Sequence, residues 1–171
     1  RNEIGNTFQR LVTDLAKAQV EFDIGCEDIM ARHGSVDGNR LKVNRRAYDV
    51  VVLPPMTENL NAPTMDLLDA YAQVGGALLC CGDAPARVDG QVSGRGPALA
   101  KSPACAQVAP EVLADALFDR VKDEFSVQVT EGSKGILYHH RRQLDDGDLL
   151  FLVNTSIDES VSGTIDSPAQ G

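Results

Sequence analysis

The chain has no tryptophan, only three histidines, and an aromatic content of 5%. Nowhere does it hold the roughly 20 consecutive apolar residues that a membrane-spanning helix requires. Basic residues are also scarce, 16 against 25 acidic ones, for a net charge of −9. Affinity for nucleic acid rests on a basic field, so neither nucleic acid nor a membrane is expected as a partner. The four cysteines, Cys26, Cys80, Cys81 and Cys105, show no metal-ligand spacing, and a disulfide framework is not expected in a chain of this size. Asp145, Asp146, Gly147 and Asp148 lack the spacing and closing glutamate of a calcium loop. Gly94 and Gly96 read as loop, without the preceding strand and following helix that a phosphate loop needs. No metal and no cofactor is therefore expected.

What is present fits a folded piece of a soluble protein. At 171 residues, 43% hydrophobic and 24% charged, the chain has the size and composition of one globular domain. It begins at Arg1 with neither an initiator methionine nor a signal segment, so the export signal of any parent protein would lie upstream.

Helix and strand patterns alternate through the first part. Asn6 with Gln9 suggests a capping box opening a helix with Phe8, Leu11, Val12, Leu15 and Ala16 on one face. Residues 20–24 read as a strand, 27–33 as a short helix stopped by Gly34, and 40–43 as a small strand. The strongest strand is 48–53, where Val50, Val51, Val52 and Leu53 run up to Pro54 and Pro55. Such continuity suits a parallel strand covered on both faces. Asn61 and Pro63 start a helix through Leu67, Leu68, Tyr71 and Ala72, ended by Gly75 and Gly76. Residues 77–81 form the next buried strand, so a parallel β-α-β crossover is expected. Residues 83–101 read as a long surface loop. A helix from Pro110 turns Val112, Leu113, Ala116, Leu117 and Val121 inward. Beyond residue 126 the pattern becomes antiparallel: 126–130, 136–142, 149–154 and 161–165, with a hairpin turn at Asp146 and Gly147.

The most distinctive stretch is the hairpin itself. Its first strand carries His139, His140, Arg141 and Arg142; its second is apolar from Leu149 to Val153 and ends on Asn154. This hairpin resembles the segment that closes a flavodoxin-like accessory domain in large bacterial glycoside hydrolases, nearest to the α-L-rhamnosidase type, glycoside hydrolase family 106. The segments Tyr48 to Pro54 and Gly75 to Leu79 resemble, more generally, the class I glutamine amidotransferase-like superfamily. The resemblance implies a three-layer α/β domain over residues 1–125 with a mainly parallel sheet. Residues 126–171 would close it with antiparallel strands, and residues 156–171 would either belong to this domain or open a following β-sandwich. Domains of that kind open with a strand ahead of the first helix; none precedes Asn6, so the sheet is expected to lack it.

The resemblance also sets the functional expectation: a non-catalytic accessory domain of a polysaccharide-degrading enzyme, with the catalytic barrel elsewhere. Its partners would be neighbouring domains of the parent hydrolase or a second copy. His139, His140, Arg141 and Arg142 then act as a structural clasp, one arginine held by carboxylates. The alternative is a stand-alone amidotransferase-like enzyme or small-ligand binder. It would use the C-terminal edge of the parallel sheet, around Pro54, Pro55 and Met56 and around Cys81, Gly82 and Asp83. Cys80 is the candidate nucleophile there. With Gly82 it forms half of a glycine-flanked elbow, but Leu78 replaces the first glycine. No histidine–acid pair follows, since His139 and His140 precede two arginines.

Overall fold

In the computed structural model, residues 2–121, 125–132 and 134–167 are described, Val121 by its backbone alone. Two compact units emerge, one of Arg1–Phe8 and Asp23–Pro110, the other of Gln9–Phe22 and Glu111–Gly171. The fold is mixed α/β, with one parallel three-stranded sheet and several antiparallel pairings.

Helix α1 (Asn2–Lys17) starts four residues before the cap read at Asn6, which is an exposed position inside it. Leu11 and Leu15 are buried, whereas Phe8 stays exposed. The helix ends at Gln19 in the left-handed region (φ 58). There the Val20 N–H bonds Leu15 O at 3.1 Å and the Gln19 N–H bonds Ala16 O at 3.2 Å, the two bonds of a Schellman cap. The strand expected over 20–24 is not formed. No ladder partner among the described residues covers the segment, and Phe22 and Ile24 remain exposed. Its polar residues are fixed by side chains instead, Asp23 accepting from the Tyr48 hydroxyl at 2.8 Å.

Helix α2 (Glu27–His33) stops at Gly34, as expected. Strands β1 (Gly34–Asp37), β2 (Arg40–Val43) and β3 (Arg46–Tyr48) form an antiparallel sheet in that order. Only β2 was legible beforehand, because its neighbours are short and carry few apolar residues. Strand β4 (Val50–Leu53) and the two-residue β5 (Asn59–Leu60) lead into α3 (Ala62–Gln73). Strand β6 (Ala77–Cys80) then pairs parallel to β4, Val50 opposite Ala77 through Leu53 opposite Cys80.

The segment expected to be a surface loop holds β7 (Arg87–Val88), β8 (Gln91–Val92) and helix α4 (Arg95–Ala100). Its structure comes from anchors rather than periodicity. Leu99 is buried, and Arg95 binds both Asp66 and Asp69 of α3, at 2.7 and 2.6 Å. Gly96 lies so close to the chain at Pro85 that a Cβ would stand 2.0 Å from the Pro85 carbonyl oxygen. Strand β9 (Cys105–Gln107) pairs parallel to β6, so the parallel sheet runs β4-β6-β9. Strand β9 therefore fills the third place that the sequence assigned to residues 20–24.

The core of this unit gathers Leu41, Leu53, Leu60, Met65, Leu68, Tyr71, Leu78, Cys80 and Leu99. Tyr71 is its polar pin. The ring is fully buried, and the hydroxyl donates to Asp49 O at 2.8 Å and accepts from Ala77 N–H at 3.1 Å. One side chain thus ties the start of β4 to the start of β6.

In the second unit, α5 (Pro110–Val121) buries Leu113 and Leu117, but Val112 faces out, against expectation. The inward side chain read at Val121 lies outside what is described. Strand β10 (Ser126–Glu131) pairs antiparallel with β13 (Ser162–Asp166), so the last strand is paired here. Strands β11 (Leu137–Leu144) and β12 (Gly147–Asn154) form the hairpin, with Leu144 opposite Gly147 across a two-residue turn.

Candidate functional site

Alternation along β11 sorts the histidine–arginine block onto two faces. His139 and Arg141 share one face with Leu150 and Leu152; Tyr138, His140 and Arg142 share the other with Leu149, Phe151 and Val153.

The first face carries a dense polar cluster. The Arg141 guanidinium meets Glu21 as a fork, Nε to Oε1 at 3.2 Å and a terminal nitrogen to Oε2 at 3.1 Å. Another of its nitrogens stands 3.6 Å from Asp148, and the group lies 4.3 Å over the Phe125 ring. Its side chain is only 15% exposed. A planar fork stacked on an aromatic ring is an arrangement that lysine cannot reproduce. His139 is buried beside it, its ring 5.6 Å from that of Phe125.

Gln19 fixes the histidine. Its amide nitrogen donates to Leu137 O at 2.7 Å and Ala16 O at 3.3 Å, which turns Oε1 toward His139 Nδ1 at 2.8 Å. An amide oxygen only accepts, so Nδ1 carries a proton. His139 Nε2 is buried without a hydrogen bond, 3.6 Å from Glu21 Oε1. That is ion-pair reach rather than hydrogen-bond length. The His139 ring, and after it Arg141, hold the Glu21 carboxyl down at about 2 against the upward push of its partial burial.

Sequence reading singled out the block but missed its partners. Gln19 is not a usual left-handed residue, and Glu21 lay on a supposed strand.

The second face is bare. Phe151 is 63% and Leu149 60% exposed, with Tyr138 and Val153 also open. His140 and Arg142 are exposed on it, and Arg142 has no carboxylate partner among the described residues.

The edge of the parallel sheet holds the other candidates. Cys80 ends β6 as a buried side chain, its Sγ 2.9 Å from Cys105 Sγ. Burial, then the Cys105 thiol, push the Cys80 thiol up to about 12. A nucleophilic cysteine needs the opposite, a thiol depressed by a helix N-terminus or a cation. Here no helix begins at the turn: residues 82–86 are irregular, with Gly82 at φ 106. Pro54, Pro55 and Met56 sit at the same edge, each partly exposed. Elsewhere in this unit, a shallow groove of about 590 Å³ lies between α3 and α4, and Asp69, an acid on its lining, is already bound by Arg95. No cluster of three potential metal ligands occurs among the described residues, and no described helix is long and apolar enough to cross a membrane.

No family model and no curated protein matches the sequence. Among solved structures, the chain is similar to an exo-carrageenase of glycoside hydrolase family 42 from Bacteroides ovatus. The likeness has a TM-score of 0.63 at 11% identity and covers 95% of this chain but 22% of that one. The chain thus shares its fold with a segment of that hydrolase and spans about a fifth of its length.

Proposed function

We propose that this chain is a non-catalytic accessory domain of a larger glycoside hydrolase, flavodoxin-like in descent and acting in the structural organisation of its parent. The observation that carries this reading is the fold shared with a minor segment of a family 42 hydrolase. The chemistry of the sheet edge supports it, since the thiol placed at the elbow is buried, raised in pKa and faces another thiol. The bare apolar face of the hairpin supports it as well, because exposed patches of this kind mark surfaces that meet another protein surface. Its partners are then the neighbouring domains of the parent, or a second copy. The finer assignment to a rhamnosidase-type parent, exported and acting on plant or bacterial polysaccharide, rests on the resemblance of residues 138–154.

Within this reading, His139 and Arg141 form the inner half of the clasp and His140 and Arg142 its outer half. Incubated with glutamine, peptides or aryl α-L-rhamnosides, the 171-residue chain should show no turnover. Release of ammonia from glutamine that disappears in Cys80→Ser would overturn the proposal in favour of an amidotransferase.

A further inference from the structure

The two sulfurs that disqualify Cys80 as a nucleophile suit a different chemistry. Strands β6 and β9 are parallel neighbours with Leu78 opposite Cys105. Cys80 lies two residues beyond Leu78 and therefore on the same face as Cys105. The side chains lean toward each other until the sulfurs stand 2.9 Å apart. A disulfide closes at about 2.05 Å, so the sulfurs, 2.9 Å apart, need to draw together by only about 0.9 Å to bond. Cys81, next along the chain, points to the opposite face, and Cys26 is exposed just before α2. The pair is therefore specific among the four cysteines.

We propose that Cys80 and Cys105 are a dithiol–disulfide site, oxidised by a low-molecular-weight disulfide that pins the edge strand β9 to β6. Access sets the order of events. Cys80 is buried, whereas Cys105 is partly exposed, so Cys105 is the thiol that meets the oxidant. Its thiolate attacks one sulfur of the small disulfide, forming a mixed disulfide and expelling one small thiolate. Cys80 then gives up its proton, and its sulfur attacks Cys105 Sγ, expelling the second small thiolate. Two protein thiols and one small disulfide become one protein disulfide and two small thiols. The second step is the slow one, because the Cys80 thiol is held up to about 12 and its thiolate is scarce. Closure should accordingly quicken as pH rises.

The experiment uses the full chain and oxidised glutathione, followed by acid quench, alkylation of free thiols in denaturant and tryptic digestion. Peptides 47–87 and 102–120 should emerge joined, with two of the four thiols protected and the mass lower by two hydrogens. Peptide 47–87 contains both Cys80 and Cys81, so the same measurement on Cys81→Ser identifies the partner. The linkage should persist in Cys81→Ser and Cys26→Ser and vanish in Cys105→Ser, and the oxidised wild-type chain should melt at a higher temperature than the reduced one. Full alkylation of both thiols after prolonged exposure, or a lasting glutathione adduct on Cys105 with Cys80 free, overturns the proposal. So does loss of the linkage in Cys81→Ser.

Discussion

Arg141 and Arg142 are adjacent and chemically identical, yet strand alternation gives them different surroundings. Arg141 holds a forked contact with Glu21 and stacks on Phe125, while Arg142 is exposed. Arg141→Lys keeps the charge but loses the fork and the stacking, and should cost about 1–2 kcal/mol of unfolding free energy, read from a lowered denaturant midpoint. Arg142→Lys should stay within about 0.5 kcal/mol, as surface substitutions do. Equal and negligible effects from both would leave the block as a binding surface rather than a clasp. Glu21 adds a dependence on pH. Its carboxyl titrates near 2 in the folded chain against an ordinary 4.5, so the folded state favours the anion. The stabilisation is fully present above about 4.5 and is lost as pH falls toward 2. Urea midpoints measured down this window should fall more steeply for the wild type than for Glu21→Gln, which has no proton to take up. Because Glu21 is itself partly open to solvent, screening keeps the difference modest. Parallel curves would mean that the cluster contributes nothing to acid stability.

Helix α3 and the strands on either side of it show why some elements were legible and others not. Continuous apolar runs mark β4 and β6, and a proline and a glycine pair bracket the helix. These are local signals, and they place the crossover correctly. The strand read at 20–24 fails because a ladder needs a partner, which no window of sequence reveals. Strand β9 went unseen for the converse reason: three residues carry no pattern, and only the open edge of β6 recruits them. Helix α4 was hidden among glycine, proline and alanine, and is held by Arg95 on two aspartates of α3. Of the candidate site, the alternation of the histidine–arginine block was readable, but its partners Gln19, Glu21 and Phe125 were not. Gly76 offers a test at this scale. A Cβ there would stand 2.2 Å from a carbon of the Tyr71 ring, and that ring is fully buried with its hydroxyl bridging β4 and β6. Gly76→Ala must push the ring and break the bridge, a loss of about 1–3 kcal/mol by overpacking. Thermal melts of Gly76→Ala beside Gly94→Ala make the comparison, since a Cβ at Gly94 meets nothing within 4 Å. If both melt as the wild type does, Tyr71 is not the pin described.

For the whole molecule, two forces act on any pair of copies. A net charge of −9 pushes them apart, while the open face of the hairpin, with Leu149 and Phe151, draws apolar surfaces together. The repulsion is long-ranged and is screened when ionic strength shortens the Debye length to about 3 Å near 1 M salt; the apolar attraction is not. The chain should therefore sediment as a monomer at low salt and as a heavier species at high salt, in a concentration-dependent way. Phe151→Lys places a charge in the middle of the face and should abolish the salt-induced change. Because Phe151 is mostly exposed, the same substitution should leave the melting temperature nearly untouched. That pairing of results separates a docking face from a core. A large drop in melting temperature would mean that Phe151 supports the fold itself. Unchanged association would mean that some other surface brings the copies together, and the hairpin would lose its place in the proposed contact with neighbouring domains.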